Sequence, residues 1–169
     1  MAGLVLFAAM ASFAISGCGS SDDGLPTGNS DGSNASFSFL NGTWVGTWTD
    51  TRYNVSGSLR AVITVTGSTV TATGTIGLQS LGLGNENGTA SGTVSGQTLS
   101  FQFAASTVGV GTGTLTAGAG NGSGSGTVTG VLNLGGFTYT GTATATTING
   151  TFRFTSATGG NGVATLTKQ

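Results

Sequence analysis

The sequence predicts an all-β protein, an antiparallel up-and-down meander of eight to ten strands closing into a barrel, with a β-sandwich as the alternative. Three observations point there. From about Phe37 to Lys168, Thr or Ser alternates with apolar residues or Gly at period two, the mark of strands with one buried face. No stretch after the N-terminal apolar segment shows the 3.6-residue period of an amphipathic helix. Finally, 33 of 169 residues are Gly but only one is Pro, so the glycine belongs to tight turns and close packing rather than to a Gly-X-Y triple helix.

The first element is an address segment, residues 1–17. Leu4 to Ile15 is apolar apart from Ser12, roughly a dozen residues where a membrane-spanning helix takes about 20. That length and the small residues after it predict a secretory signal peptide. The tetrad Ile15-Ser16-Gly17-Cys18 resembles the lipobox of bacterial lipoproteins. The resemblance implies a lipidated Cys18 (palmitate among its acyl chains), cleavage before it, and the membrane as a partner through that lipid. Gly19, rather than Asp, follows the cysteine, which in enteric lipoproteins is similar to outer-membrane sorting. The implied location is the cell envelope, lipid-anchored at the outer membrane. Met1-Ala2-Gly3 departs from the pattern by carrying no Lys or Arg.

Residues 18–36 follow as a linker. Gly, Ser, Asn, Asp and the single Pro26 dominate them, a composition that gives a flexible chain with a reach of about 25 Å. Asp22, Asp23 and Asp31 lie here, leaving Asp50 and Glu86 against Arg52, Arg60, Arg153 and Lys168 in residues 37–169. The barrel domain is therefore mildly positive. The run from Asn29 to Asn34 lacks the bidentate acid that completes an EF-hand loop.

The strands come next. A first strand is expected at Thr43–Thr49. Leu59, Ala61, Ile63 and Val65 form one inward face, and Val70, Ala72, Gly74, Ile76 and Leu78 another. Leu99, Phe101, Phe103 and Ala105 follow, then Phe137, Tyr139, Gly141, Ala143 and Ala145, and finally Ile148, Gly150, Phe152 and Phe154. Large residues alternate with Gly or Ala, as a tapering barrel interior requires. Gly67-Ser68 and Gly96-Gln97 read as two-residue hairpin turns, with Gly supplying the positive φ. The loose repeat Val-Thr-Gly67, Val-Ser-Gly96 and Val-Thr-Gly130 suggests a third such hairpin.

Strand parity then places the loops. With every connection a hairpin, the turns at Gly67 and Gly96 share the end where the chain comes in. The longer loops, Asp50–Ser56, Gln79–Thr89 and Ser156–Asn161, share the opposite end. An even strand count returns the C-terminus to the first end. The lipid would sit beneath a closed base, and an open mouth would face away from the membrane and carry any site.

Residue types exclude most chemistry. The chain has no His and one Cys. It lacks the usual neutral-pH base, a cysteine zinc site and an intramolecular disulfide. A net charge of −1 gives no footprint for nucleic acid. Ser and Thr abound, but a nucleophile needs a base. Asp50 and Glu86 would share the mouth, where isolated acids in polar loops are solvated rather than catalytic. The glycine run 118–126 is followed by a strand, whereas a phosphate loop needs a helix N-terminus. Gly159-Gly160-Asn161-Gly162 lacks the Asp of calcium-binding nonapeptides. Asn34, Asn41, Asn54, Asn87, Asn121 and Asn149 sit in formal sequons but fit turn chemistry. No enzyme, cofactor or metal is expected.

Gly42-Thr43-Trp44 resembles the Gly-x-Trp signature on the first strand of lipocalins and their calycin relatives. That resemblance implies a Trp closing the barrel base under a late-strand basic residue, Arg153 or Lys168. It also implies a small hydrophobic ligand inside, held by candidates Trp44, Trp48, Tyr53, Phe101, Phe103, Tyr139, Phe152 and Phe154. The expectation is a non-enzymatic, lipid-tethered module binding a small apolar ligand. The alternative is a structural or adhesive surface protein with a filled barrel, partnered by a surface protein. An inhibitor of a secreted protease is a third reading. A transmembrane barrel is disfavoured, because the Thr-rich face is the wrong exterior for lipid.

Overall fold

A computed structural model of the chain describes residues 36–105, 109–118, 122–132, 135–155 and 160–169. The signal segment, Cys18 and the linker up to residue 35 lie outside the described residues, as do Asn121 and most of the loop after residue 155.

Ten strands follow in sequence: β1 (Gly42–Asp50), β2 (Val55–Thr66), β3 (Thr69–Gly77), β4 (Asn85–Ser95) and β5 (Thr98–Ala105), then β6 (Gly109–Ala117), β7 (Ser123–Leu132), β8 (Gly135–Thr144), β9 (Thr147–Phe154) and β10 (Asn161–Lys168). Each pairs antiparallel with its sequence neighbours, and β10 pairs back onto β1. The result is a closed up-and-down barrel of the expected class, and the sandwich alternative is not adopted. Closure leaves no sheet edge with unpaired backbone groups.

The alternation is obeyed on nearly every strand. Trp44 and Trp48, Leu59 and Ile63, Val70 and Ile76, Leu99 and Phe103, Phe152 and Phe154 all point inward and are buried. Thr and Ser occupy most outward positions, in cross-strand rows such as Thr114 opposite Thr127 and Thr127 opposite Thr140. Hydroxyls thus solvate a surface that ordinary proteins cover with charge.

The interior is filled by rings lying over glycines. A Cβ on Gly113 would come 2.4 Å from the Phe101 ring, and one on Gly111 would come 2.2 Å from Phe103. Tyr139 covers Gly141 and Gly150 in the same way, and Trp48 covers Gly57. Phe103 meets Phe137 edge-on at 5.8 Å, and Phe152 meets Phe154 at 6.2 Å, the geometry favoured by ring quadrupoles.

Parity also places the ends. Gly67 and Gly96 turn at φ of +56° and +58°, at the end shared by the start of β1 and the end of β10. That end is the base. It is plugged by a one-turn 3-10 helix, Ser38–Leu40, which buries Phe39 and Leu40, and by the buried Phe37 just before it. The loops 51–54 and 78–84 lie at the opposite end, the mouth.

Four details differ from the sequence expectation. The Ser38–Leu40 helix and a second single turn, Gln79–Leu81, are too short to leave a helical period. Ala145 is exposed in the β8–β9 turn rather than inward. Val128-Thr129-Gly130 lies within β7, not at a hairpin, and Gly130 is small because Phe137 and Phe103 need its space. Asp50 and Glu86, expected to be solvated in loops, are the last residue of β1 and the second of β4, on the inward face, and are 0% and 8% exposed.

Candidate functional site

At the base, Trp44 is fully buried and its indole Nε1 donates to the Leu40 carbonyl at 2.8 Å. Lys168, its cross-strand partner, holds its ammonium 5.5 Å from the centre of the Trp44 ring and donates to the Phe39 carbonyl at 3.1 Å. The basic residue over the first-strand Trp is therefore Lys168. Arg153 is outward and exposed on β9. These contacts lock the plug onto the barrel and leave Trp44 no face for a ligand.

The mouth half is packed as well. Trp48, Leu59, Ile76, Leu78, Phe103, Phe137, Phe152 and Phe154 belong to one buried cluster. The Trp48 Nε1 donates to the Gly77 carbonyl at 3.0 Å. Trp48, Phe103, Phe152 and Phe154 thus act as core. Tyr53 stands outside on the β1–β2 loop, 38% exposed, with Arg52 5.5 Å from its ring centre.

Between this cluster and the base cluster remains a cavity of about 80 Å³. Leu40, Val70, Leu99, Val128, Phe101 and Tyr139 are among its walls. Phe101 and Tyr139 are the two ligand candidates that reach it. Tyr139 is its ionisable group, and burial pushes the phenol up to about 12, because a phenolate there would lose its hydration. The neutral phenol is the form present at any physiological pH. The volume decides what fits: small-molecule sites run to about 300–1,000 Å³, and a benzene-sized cavity to about 150 Å³. Room for a few heavy atoms remains inside.

The polar chemistry lies elsewhere. Asp50 Oδ1 accepts from the backbone N–H groups of Arg52 and Tyr53 at 2.9 and 3.2 Å, holding the β1–β2 loop. Among the described residues, Asp50 Oδ2 has no hydrogen-bond partner and rests on Gly160, where a Cβ would come 1.6 Å from it. With Asp50 and Glu86 buried and Lys168 drawn over Trp44, the exposed charged side chains of the described strands and loops are Arg52, Arg60 and Arg153. No cluster of three or more potential metal ligands occurs among the described residues.

On the outside, a groove of about 790 Å³ runs over β8, β9 and β10, bordered by Arg52, Thr138, Thr140, Thr151, Arg153 and Asn161. The register explains its floor: Arg153 lies between Thr138 on β8 and Asn161 on β10. Asn161 is tied to Thr51 by Nδ2 donating to Oγ1 at 3.1 Å and by Thr51 Oγ1 donating to its carbonyl at 2.9 Å. The sequence expectation put a site at the mouth or a ligand inside the barrel, with the loops or the Thr face as the alternative, and did not single out this groove. Its signal was present in the outward parity shared by Arg153 with Thr151 and Thr155.

No family model and no curated protein matches the chain. Among solved structures it is similar to Rv2717c from M. tuberculosis, at 12% identity and a TM-score of 0.61, covering 78% of this chain and 94% of that one. A redesigned β-barrel also matches, at 17% identity and a TM-score of 0.43, covering 78% of this chain and 93% of that one. The likeness to Rv2717c is one of fold.

Proposed function

We propose that this protein is a non-enzymatic binding module of the cell envelope, tethered by lipid on Cys18, whose filled barrel works through its outer surface. The lipobox-like tetrad supports the anchor. One observation carries the reading of the barrel: aromatic rings and the basal plug occupy the interior down to about 80 Å³, while guanidinium groups and hydroxyls line an open groove outside. A closed, edge-free barrel is a rigid support for such a face. With base down, on a linker reaching about 25 Å, the mouth loops and the groove would stand away from the membrane.

Two measurements test this. Native mass spectrometry of the full chain, purified from its own membrane, should show the lipidated mass and nothing retained inside. Palmitate labelling should vanish in Cys18→Ala, and labelling that persists overturns the anchor.

A second reading has its own support. The cavity beside Phe101 and Tyr139 is walled almost entirely by carbon and suits a very small apolar molecule, the reduced form of the calycin-like role. A retained small mass in the same spectrum would favour this reading over the first.

A further inference from the structure

Resting on the reading that this barrel works through its exterior, we infer that the groove over β8–β10 binds an anionic sugar chain, with Arg153 and Arg52 taking its acidic groups. Arg153 is exposed on the outer face of β9, whereas both carboxylate side chains of the described residues, Asp50 and Glu86, are buried on the inward face. Arg52 borders the same groove from the β1–β2 loop. From Arg153 the register runs to Asn161 on β10 and then to Thr51 beside Arg52. Along this path the backbone of Arg153 and that of Thr51, the neighbour of Arg52, are about two strand spacings, or about 10 Å, apart. A planar guanidinium takes a carboxylate or sulfate in a two-point fork.

The rest of the lining selects the carrier. Thr138, Thr140 and Thr151 offer hydroxyls that both donate and accept, the partners that sugar hydroxyls need. Thr155, its proton given to the Gly136 carbonyl, adds an acceptor, and Asn161, one amide N–H held by Thr51, adds the rest of its amide. A protein partner would anchor on buried aromatic or aliphatic pockets, and the groove offers none. Single-stranded nucleic acid would need stacking platforms along a basic track, but the groove's two rings, Phe152 and Phe154, are turned into the core. A hydroxyl-rich chain carrying spaced negative charge fits both features.

The test titrates the full chain in detergent with polygalacturonate, dextran sulfate and uncharged dextran at low and physiological salt. Polygalacturonate, dextran sulfate or both should bind more tightly than dextran and weaken as salt rises. Arg153→Gln should weaken that binding by about tenfold, the loss of one charge-assisted contact. Arg52→Gln should act in the same direction, whereas Arg60→Gln, on β2 outside the groove, should leave binding unchanged. Thermal melts confirm that each variant is folded. Equal loss in Arg60→Gln would mean unspecific charge attraction and overturn the site. Equal binding of dextran would overturn the anionic assignment while leaving the exterior reading standing. Binding of none of the three would overturn the assignment to sugars, and the mass spectrum would then decide the exterior reading by itself.

Discussion

The ammonium of Lys168 lies 5.5 Å from the centre of the Trp44 ring, across the pairing that joins the last strand to the first. The same ammonium donates to the Phe39 carbonyl at 3.1 Å. One side chain therefore fastens the seam of the barrel and its basal plug together.

Lys168→Met keeps the length of the stem and removes both interactions. A cation over Trp is worth about 0.5–2 kcal/mol, and the carbonyl of Phe39 also loses its donor. The variant should unfold in urea at a lower midpoint, by about 1–2 kcal/mol, with an unchanged m-value. An unchanged midpoint would show that the seam holds without the cation.

Gly113 is the cleanest test of ring-over-glycine packing, because the three nearest atoms a Cβ there would meet all belong to Phe101. Gly113→Ala should cost about 1–3 kcal/mol by overpacking. Phe101→Leu, which enlarges the cavity, should also destabilise. Combined, the two should cost less than their sum, since the smaller side chain makes room for the methyl. Strict additivity in the double-mutant cycle would contradict the contact.

Asp50 tests the mouth. Asp50→Ala leaves the N–H groups of Arg52 and Tyr53 without their acceptor, a loss of about 1–3 kcal/mol. Asp50→Asn keeps a side-chain oxygen for both donors and should cost less. Equal destabilisation in the two variants would mean that the charge, not the acceptor, holds the loop.

Tyr139 gives a pH dependence. Its phenol is raised from 10.0 to about 12 by burial, so between those values the unfolded chain releases a proton that the folded chain retains. Stability should be unaffected below pH 10 and fall as pH rises through 10 to 12, by about 2–3 kcal/mol from this group. Denaturation series at pH 9 and pH 11.5 measure the slope. Tyr139→Phe should flatten it, and an unaltered slope would place its origin elsewhere.

The period-two alternation made most of the interior readable from sequence, because a half-buried strand leaves no other pattern. Gly67 and Gly96 were readable as turns because each stands between two alternating runs. Gly130 was not, since a glycine that admits a ring and a glycine that turns the chain look alike in sequence. The two single helical turns carry too few residues for a period. Asp50 shares the parity of Trp44 and Trp48, and Glu86 that of Ala90, so their inward placement was implicit. Polarity had assigned them to solvent instead. Cavity size was illegible, because it depends on how rings from four strands, β1, β5, β8 and β9, meet the aliphatic side chains of the others across the barrel.

The seam between β1 and β10 has a consequence for how the chain folds. Nine of the ten ladders join sequence neighbours and can form hairpin by hairpin as the chain lengthens, at small loop-closure cost. The tenth joins Trp44 to Lys168 and cannot form until β10 is in place. Until then β1 and β9 each present an unpaired edge, the kind of template on which partly folded chains stack. A copy cut short before residue 161 would keep both edges open, so deletion of one strand should yield aggregates rather than a nine-stranded barrel.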